Sequence, residues 1–148
     1  MVIVESPFSE GKTMALTKDR NTPMRDGRLV VHPVAANKTI YAGSLVVLNA
    51  TGYAEPGSTA TTLTAVGMAE HRVNNSGGPD GYLTIEVRRG VFTFSNSTAG
   101  DLITRTEIGK SCYIVNDHTV AKTNGANTRS LAGKVIDVDS SGVWVEIG

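Results

Sequence analysis

Residues 82–94 read YLTIEVRRGVFTF, the stretch with the clearest structural pattern in the chain. Leu83, Ile85 and Val87 fall on one side of an extended chain, with polar residues between them, as in a half-buried strand. Gly90 interrupts this run, and apolar residues resume at positions 91, 92 and 94. A glycine at such a place is typical of a bulge or of a sharp bend at the corner of a barrel or sandwich. The stretch therefore predicts one long strand that bends at Gly90 and serves two parts of the same core.

The composition favours an all-β fold. The 148 residues include 16 glycines but only one tryptophan, three phenylalanines and four tyrosines. Frequent Val, Ile and Thr suit a pleated, half-buried surface, while Gly, Asn and Asp supply tight turns. Residues 1–27 contain Pro7 and Pro23 and show no sustained period, so we interpret them as an extended N-terminal arm. Residues 28–148 then form one all-β domain, either a small antiparallel barrel or a jelly-roll-like sandwich of two sheets.

Turn-forming residues separate short apolar runs along this domain. Three hairpins are predicted, with turns at residues 49–52, 117–118 and 140–142. Segment 63–73 fits a strand interrupted at Gly67 better than a helix, because Gly, Thr and β-branched residues weaken helical order. Segment 101–108 suits either a short strand or one turn of helix. We expect about eight or nine strands, and no segment has a pattern that establishes a helix.

The charge balance argues against two classes of partner. Lys plus Arg and Asp plus Glu number 14 each, so there is no basic excess to neutralise the phosphates of a nucleic acid. No run approaches the ~18 apolar residues that a membrane-spanning helix requires, and the N-terminus lacks a basic secretory leader. The single cysteine, Cys112, cannot form an internal disulfide bond. The sequence therefore predicts a soluble protein that is stabilised by packing and binds neither nucleic acid nor membrane.

Motifs that would indicate chemistry are incomplete. Residues 6–13, SPFSEGKT, approach a phosphate-binding loop but lack its first glycine and the flanking strand and helix. Residues 137–142, DVDSSG, match the start of a calcium-binding loop but lack the glutamate at its twelfth position, so we interpret them as an acidic hairpin tip. Cys112 has the pattern of a buried, inert thiol. The histidines, which we interpret as surface or turn residues, have no metal-ligand spacing: His32, His71 and His118.

These observations predict a protein that is not an enzyme, with no catalytic residue, metal, cofactor or small-molecule substrate. Three residues are instead candidates for a protein interface. Arg88 and Arg89 flank the bend at Gly90, where they are either solvated partners in a cross-strand ion pair or polar anchors for a partner. Trp144 lies on the side of its strand opposite to its valine neighbours. It faces outward as an interface residue if those valines face the core, or it is core itself if the strand is buried on both faces.

Several segments together resemble a known family. They are AGSLVVLN at residues 42–49 followed by TGYA, AVGMA from residue 65, RRGVF at 88–92, IGKSCYIVND from residue 108 and the closing LAGKVIDVDSSGVWV at 131–145. In this order they are similar to bacteriophage head decoration proteins, also called capsid cement proteins, of the small all-β kind found on tailed-phage shells. The resemblance covers about residues 14–148. It rests on the pattern of strands and turns, and Met14 offers a second start that would make the first thirteen residues an upstream extension.

The resemblance implies a structural protein without enzymatic activity. Such a protein is made in the cytoplasm of the bacterial host and binds the outer surface of the phage head, as part of the virion, after the shell expands. Its partners are the major capsid protein and further copies of itself, as a homodimer or homotrimer at a local symmetry axis. Bridging of neighbouring capsid subunits then stabilises the expanded shell. The alternatives are a tail-associated or fibre-associated structural protein of a phage, and a small carbohydrate-binding β-sandwich.

The N-terminal arm is a further candidate for capsid contact. It carries a short apolar cluster in an otherwise polar segment, formed by Val2, Ile3, Val4 and Phe8. We expect these residues to order on docking and to add a strand to a sheet edge of the capsid protein.

Overall fold

The computed structural model describes residues 14–148, and the regular secondary structure of this part of the chain is almost entirely β-strand. Strands account for 41% of residues and helix for 4%, and all ladders between named strands are antiparallel, which confirms the predicted all-β fold. The strands of the described residues are β1 (Leu29–Pro33), β2 (Thr39–Ile40), β3 (Leu45–Leu48), β4 (Ala54–Pro56), β5 (Thr64–Ala69), β6 (Val73–Asn74), β7 (Thr84–Arg88), β8 (Gly90–Phe94), β9 (Ser111–Ile114), β10 (Val120–Ala121), β11 (Leu131–Asp139) and β12 (Gly142–Ile147).

These twelve strands exceed the eight or nine predicted, mainly because three of them have only two residues. Segment 63–73 contains a strand, as predicted, and Gly67 lies inside it rather than ending it. Segment 101–108 forms neither a strand nor an α-helix. Instead, short 3₁₀ turns lie at Ala99–Asp101 and Arg105–Glu107.

The strands form two five-stranded sheets and one two-stranded sheet. The first sheet has the order β1-β7-β5-β3-β4, the second has the order β10-β9-β11-β12-β8, and β2 pairs with β6. A parallel bridge from Val34 to Ala54 joins the two edges of the first sheet, and one from Ser95 to Thr119 joins those of the second. Each large sheet is therefore curled so that its edge strands meet at one end.

The two large sheets have the same topology. We call residues 29–88 the first unit and residues 90–147 the second unit. In each unit the five strands of the large sheet, numbered in chain order, are arranged as first, fifth, fourth, second and third. The parallel bridge then joins the third strand back to the first. The chain thus contains the same fold twice in succession, which was not predicted from its sequence.

Backbone hydrogen bonds repeat between the units as well. The N–H of Gly43 donates to the carbonyl of Ala69 at 2.9 Å, and the N–H of Gly109 donates to the carbonyl of Val135 at 2.8 Å. In return, Ala69 donates to Ser44 at 3.0 Å, and Val135 donates to Lys110 at 2.9 Å. Both glycines have a positive φ, +83° and +89°. The entry to the second strand of each unit is therefore built in the same way.

A close approach between the fourth and fifth strands also occurs twice. A Cβ atom built on Gly67 would come closer than 3.0 Å to the carbonyl oxygen of Arg88, and one built on Gly133 would do so to that of Glu146. The same two Cβ atoms would lie 2.8 Å and 2.9 Å from the Cγ1 atoms of Val87 and Val145, respectively. Only glycine leaves room for the neighbouring backbone at these positions. The contacts identify Val87 and Val145 as equivalent residues.

Each unit contains its own cluster of buried side chains. The first cluster is formed by Val34, Ile40, Val46, Ala54, Ala69, Val73, Ile85 and Val87. The second is formed by Phe94, Ile103, Cys112, Ile114, Val120, Ala132, Val135, Val143, Val145 and Ile147, together with two residues of β3, Leu45 and Val47. Because alternate residues of β3 belong to different clusters, this strand is buried on both faces and connects the two units. Burial of these apolar side chains supplies the main stabilisation of the fold.

Gly90 is the point where the chain passes from one unit to the other. The predicted long strand is present as β7 in the first sheet and β8 in the second, separated only by Arg89. Gly90 has a φ of +153°, which side-chain-bearing residues rarely adopt, so glycine permits the sharp change of direction. The prediction that this stretch bends and serves two parts of the core is confirmed. Val91, directly after the bend, points outward and is 42% exposed.

Candidate interaction surfaces

The seven predicted interface residues do not form one site. Val2, Ile3, Val4 and Phe8 lie outside the described residues, as does the segment resembling a phosphate-binding loop. Arg88 and Arg89 lie at the junction of the units, where Gly90 pairs with Ile147, whereas Trp144 pairs with Thr93. Three residues of strand separate these two positions, which corresponds to about 10 Å.

Arg88 lies on the outer face of the first unit in a group of polar side chains formed with Glu70, His71 and Glu86. Its guanidinium forms an ion pair with Glu70, and the Nε2 atom of His71 lies 3.6 Å from Glu86 Oε1. All four side chains are at least a quarter exposed, and pairs of this kind contribute about 0–1 kcal/mol. Of the two interpretations of Arg88, the structure shows the solvated ion pair. The role of Arg88 in an interface stays a prediction.

Trp144 faces outward on the second unit. Val143 and Val145 are fully buried in the second cluster, so Trp144 lies on the opposite face of β12, where it is half-buried. Its indole N–H donates a hydrogen bond of 2.9 Å to Asp139 Oδ2. This bond is the main reason that the pKa of Asp139 is lowered from its ordinary value. Of the two alternatives for Trp144, the structure supports the outward-facing one.

Apolar neighbours extend this surface. Val135 and Val138 both pack inward against the second cluster, so the two residues between them, Ile136 and Asp137, face outward. A register irregularity between residues 135 and 137 places both beside Trp144. On the other side, β8 contributes Val91 and Thr93 through its pairing with β12. We define the Trp144 face by four residues, of which Val91 and Ile136 are 42% and 39% exposed: Val91, Thr93, Ile136 and Trp144.

Charged groups border the Trp144 face. Arg105 Nη1 donates to Asp137 Oδ1 at 3.0 Å, and Lys134 pairs across the ladder with Glu146. An aromatic residue among apolar side chains with a polar rim is the usual anatomy of a protein interface. Sequence reasoning identified Trp144 but missed Ile136, because simple alternation along β11 is broken by the extra residue of the bulge.

Arg89 lines a different feature, at the open end of the first unit. Two adjoining cavities, each of about 310 Å³, share Arg89 and Gly148 as lining residues. Arg89 Nη1 donates to the carbonyl of Gly27 at 3.2 Å. His32 lines one of these cavities and is half-buried near the end of β1, so it is a partly exposed surface residue and does not lie in a turn. Burial lowers the pKa of its imidazole below the ordinary value.

The remaining candidates for chemistry lie in structural settings. Cys112 is buried, as predicted, and burial raises the pKa of its thiol to about 12. Asp139 accepts a hydrogen bond from the backbone N–H of Ser141 at 2.8 Å, as expected for a hairpin tip. Among residues 14–148, no three His, Cys, Asp or Glu side chains are grouped so as to hold a metal ion. Within the same residues, no helix is long and apolar enough to cross a membrane.

Comparison of the chain with family models, with curated proteins and with solved structures finds no match.

Proposed function

We propose that this protein is a capsid decoration, or cement, protein that binds the outer surface of an expanded tailed-phage head. It bridges neighbouring subunits of the major capsid protein, associates with further copies of itself as a dimer or trimer and catalyses no reaction. The proposal rests on the resemblance of residues 14–148 to this family and on the Trp144 face.

The observation that carries the proposal is a contrast at two equivalent positions of the two units. By the matched strand contacts, Glu86 of the first unit occupies the place that Trp144 occupies in the second. Glu70 likewise corresponds to Ile136, since each directly follows one of the equivalent residues Ala69 and Val135. At these two positions the first unit carries carboxylates that contact His71 and Arg88, and the second unit carries the apolar side chains of Trp144 and Ile136. Solvent exposure alone does not favour this replacement, whereas contact with a partner does.

The described part of the arm offers a second apolar contact. Residues 14–27 contain no strand or helix, and the side chains of Met14, Leu16 and Met24 are 66%, 71% and 93% exposed. A stable protein contact requires ~1,000 Å² of buried surface, and several modest contacts made at once increase the total affinity strongly. An arm and a sheet face that contact different capsid subunits would bridge them.

The proposal is tested by co-sedimentation of the protein with expanded, empty shells of the major capsid protein. Saturation at a simple ratio of protein to capsid subunits, with shells that then survive heating better, is the expected result. The Trp144→Glu variant gives the second unit the residue that the first unit has at this place. It should bind about 30-fold more weakly, because loss of a central interface residue costs about 2 kcal/mol or more.

Tyr82→Ala is the matched control. Tyr82 is an aromatic residue, 71% exposed, in the first unit and outside the Trp144 face, so its removal should leave binding unchanged. Circular dichroism of both variants checks that the fold is intact. Protein that stays in the supernatant at every concentration would refute the proposed function, and equal binding of Trp144→Glu and wild type would refute the role of the Trp144 face.

A further inference from the structure

The duplicated fold allows the open ends of the two units to be compared residue by residue. Val87 and Val145 are equivalent, and they pair with Val30 and Phe92, respectively. The same registers make His32 equivalent to Phe94, and Arg89 equivalent to Ile147. In the second unit these positions are apolar, and Phe94 and Ile147 are buried in the cluster. In the first unit the same positions hold Val30, His32 and Arg89.

Two cavities lie beside these three residues of the first unit. We use the name first-unit mouth for the two adjoining cavities at this end, each of about 310 Å³, whose lining residues are Gly27, Arg28, Val30, His32, Ala65, Val66, Arg89, Gly90 and Gly148. Cavities of this size lie at the lower end of the range for ligand sites. Among residues 14–148, no lining residue has an acidic side chain, and the lining residue Arg28 lies 3.7 Å from the carboxylate of Asp26. The mouth thus combines apolar side chains with the guanidinium of Arg89.

Most N–H groups of the Arg89 guanidinium have no hydrogen-bond acceptor among residues 14–148. Its single side-chain hydrogen bond among residues 14–148 is the one from Nη1 to the carbonyl of Gly27. No carboxylate of the same residues lies within 4.0 Å of its guanidinium. A guanidinium carries five N–H donors in a planar fork that matches the two oxygens of a carboxylate. An imidazole in the same wall, that of His32, can add a hydrogen bond to either oxygen.

The strand beside the mouth has one edge available for pairing. Among residues 14–148, β1 is the edge strand of the first sheet and pairs along its length with β7 alone. Arg28 and Val34 hydrogen-bond toward β7, so by alternation the backbone groups of Leu29 and Val31 point to the other edge. Within the same residues, the parallel bridge occupies that edge at Val34 alone, and Val31 is 57% exposed. An extended polypeptide can therefore pair with β1 next to Arg89.

We propose that the first-unit mouth binds a carboxylate group carried by an acidic side chain on an extended segment of a partner polypeptide. The segment pairs with the free edge of β1, and its carboxylate forms a bidentate ion pair with Arg89. The apolar lining residues accept the stem of the acidic side chain. This inference goes beyond the proposed function and does not depend on it.

The test is an NMR titration of the full chain with the peptide acetyl-TVEVT-amide. We expect saturable shifts of the Arg89 Nε–H resonance and of the backbone amides of Leu29 and Val31. The matched peptide acetyl-TVQVT-amide should bind about tenfold more weakly than the acidic peptide. The reason is that a charge-assisted hydrogen bond is replaced by a neutral one. Acetate, titrated over the same range, distinguishes a free anion from a peptide. Binding of acetate as tight as that of the peptide would refute the pairing with β1.

Three variants localise the site. Arg89→Gln should abolish the difference between the two peptides. The double variant Val30→Phe with His32→Phe gives the first unit the aromatic residues that the second unit has, so it should fold, fill the mouth and lose the peptide shift at Val31. Arg72→Gln, which removes an exposed arginine away from the mouth, should bind as wild type does. Absence of shifts in the wild-type protein, or unchanged binding by the double variant, would overturn the proposal.

Discussion

Replacement of Gly67 or Gly133 by alanine should destabilise the protein, because these glycines allow the closest approach between strands in each unit. The added Cβ atom would lie closer than 3.0 Å to a carbonyl oxygen of the neighbouring strand, whereas ordinary contacts begin at 3.4 Å. It would also meet a buried valine, at 2.8 Å for Gly67 and at 2.9 Å for Gly133. The neighbouring atom in each case is backbone in a ladder, so relief requires the two strands to move apart.

The expected cost follows from this overlap. Inserting a methyl group into a packed interior costs about 1–3 kcal/mol, so we expect about 2 kcal/mol for Gly133→Ala. Gly67 also has a φ of +149°, and the strain of a side chain in that conformation raises the expected cost of Gly67→Ala to about 3 kcal/mol. For a chain of this size, these values correspond to decreases in Tm of roughly 4–8 °C and 6–12 °C.

Thermal unfolding followed by circular dichroism measures both variants. Gly100→Ala is the control, since a Cβ atom at that position meets nothing within 4 Å, and its Tm should stay within about 2 °C of wild type. A wild-type Tm for Gly133→Ala would show that the strands are not in close contact there. A loss for Gly67→Ala alone would show that backbone conformation, and not the repeated contact, accounts for the effect.

Three further predictions concern buried groups. Ser130→Ala should lower the free energy of unfolding in urea by about 1–3 kcal/mol, because it leaves the N–H of Leu63 and the carbonyl of Ala60 without their side-chain partner; a change below about 0.5 kcal/mol would contradict this. Cys112, whose pKa is raised to about 12, should react with a thiol reagent at pH 8 only on unfolding, and prompt labelling of the native protein would be inconsistent with its burial. The lowered pKa of His32 means that the unfolded chain binds its proton more tightly, so stability is full above the unfolded value near 6.5 and declines as the pH falls through it. Between pH 7.5 and 5.5 the wild type should therefore lose more stability in urea titrations than His32→Phe does, and equal losses would contradict the assignment.

Several features of the fold could be predicted because they depend on neighbouring residues. The hairpins β3–β4, β9–β10 and β11–β12 all connect through the turn formers that the sequence indicated. The bend at Gly90 was predicted for the same reason, since an interruption of a two-residue pattern by glycine is a local signal. The burial of Cys112 followed from the strand pattern around it.

The duplication could not be predicted from the sequence. Equivalent core positions hold different residues, such as Val46 and Cys112 or Ile85 and Val143. A core requires side chains of suitable volume and polarity, not particular residues, so two copies of a fold can differ in nearly all of them. The recurring elements are backbone contacts, such as those at Gly67 and Gly133, and they appear only when both strands are in place.

The amino-acid pattern alone was sufficient to establish the class of fold, the positions of most strands, the sharp bend at Gly90 and the net charge of zero. It left two orientations open for Trp144, outward or in the core, and it did not predict where the Arg89 side chain lies. Tertiary structure decided that Trp144 lies outward beside Ile136, since a bulge in β11 changes which residues share its face. It also placed the exposed Arg89 at the open end of the first unit, between β7 and β8. This difference arises because alternation and turn propensity act over a few residues, whereas a surface or a cavity is formed by strands that pair across much of the chain.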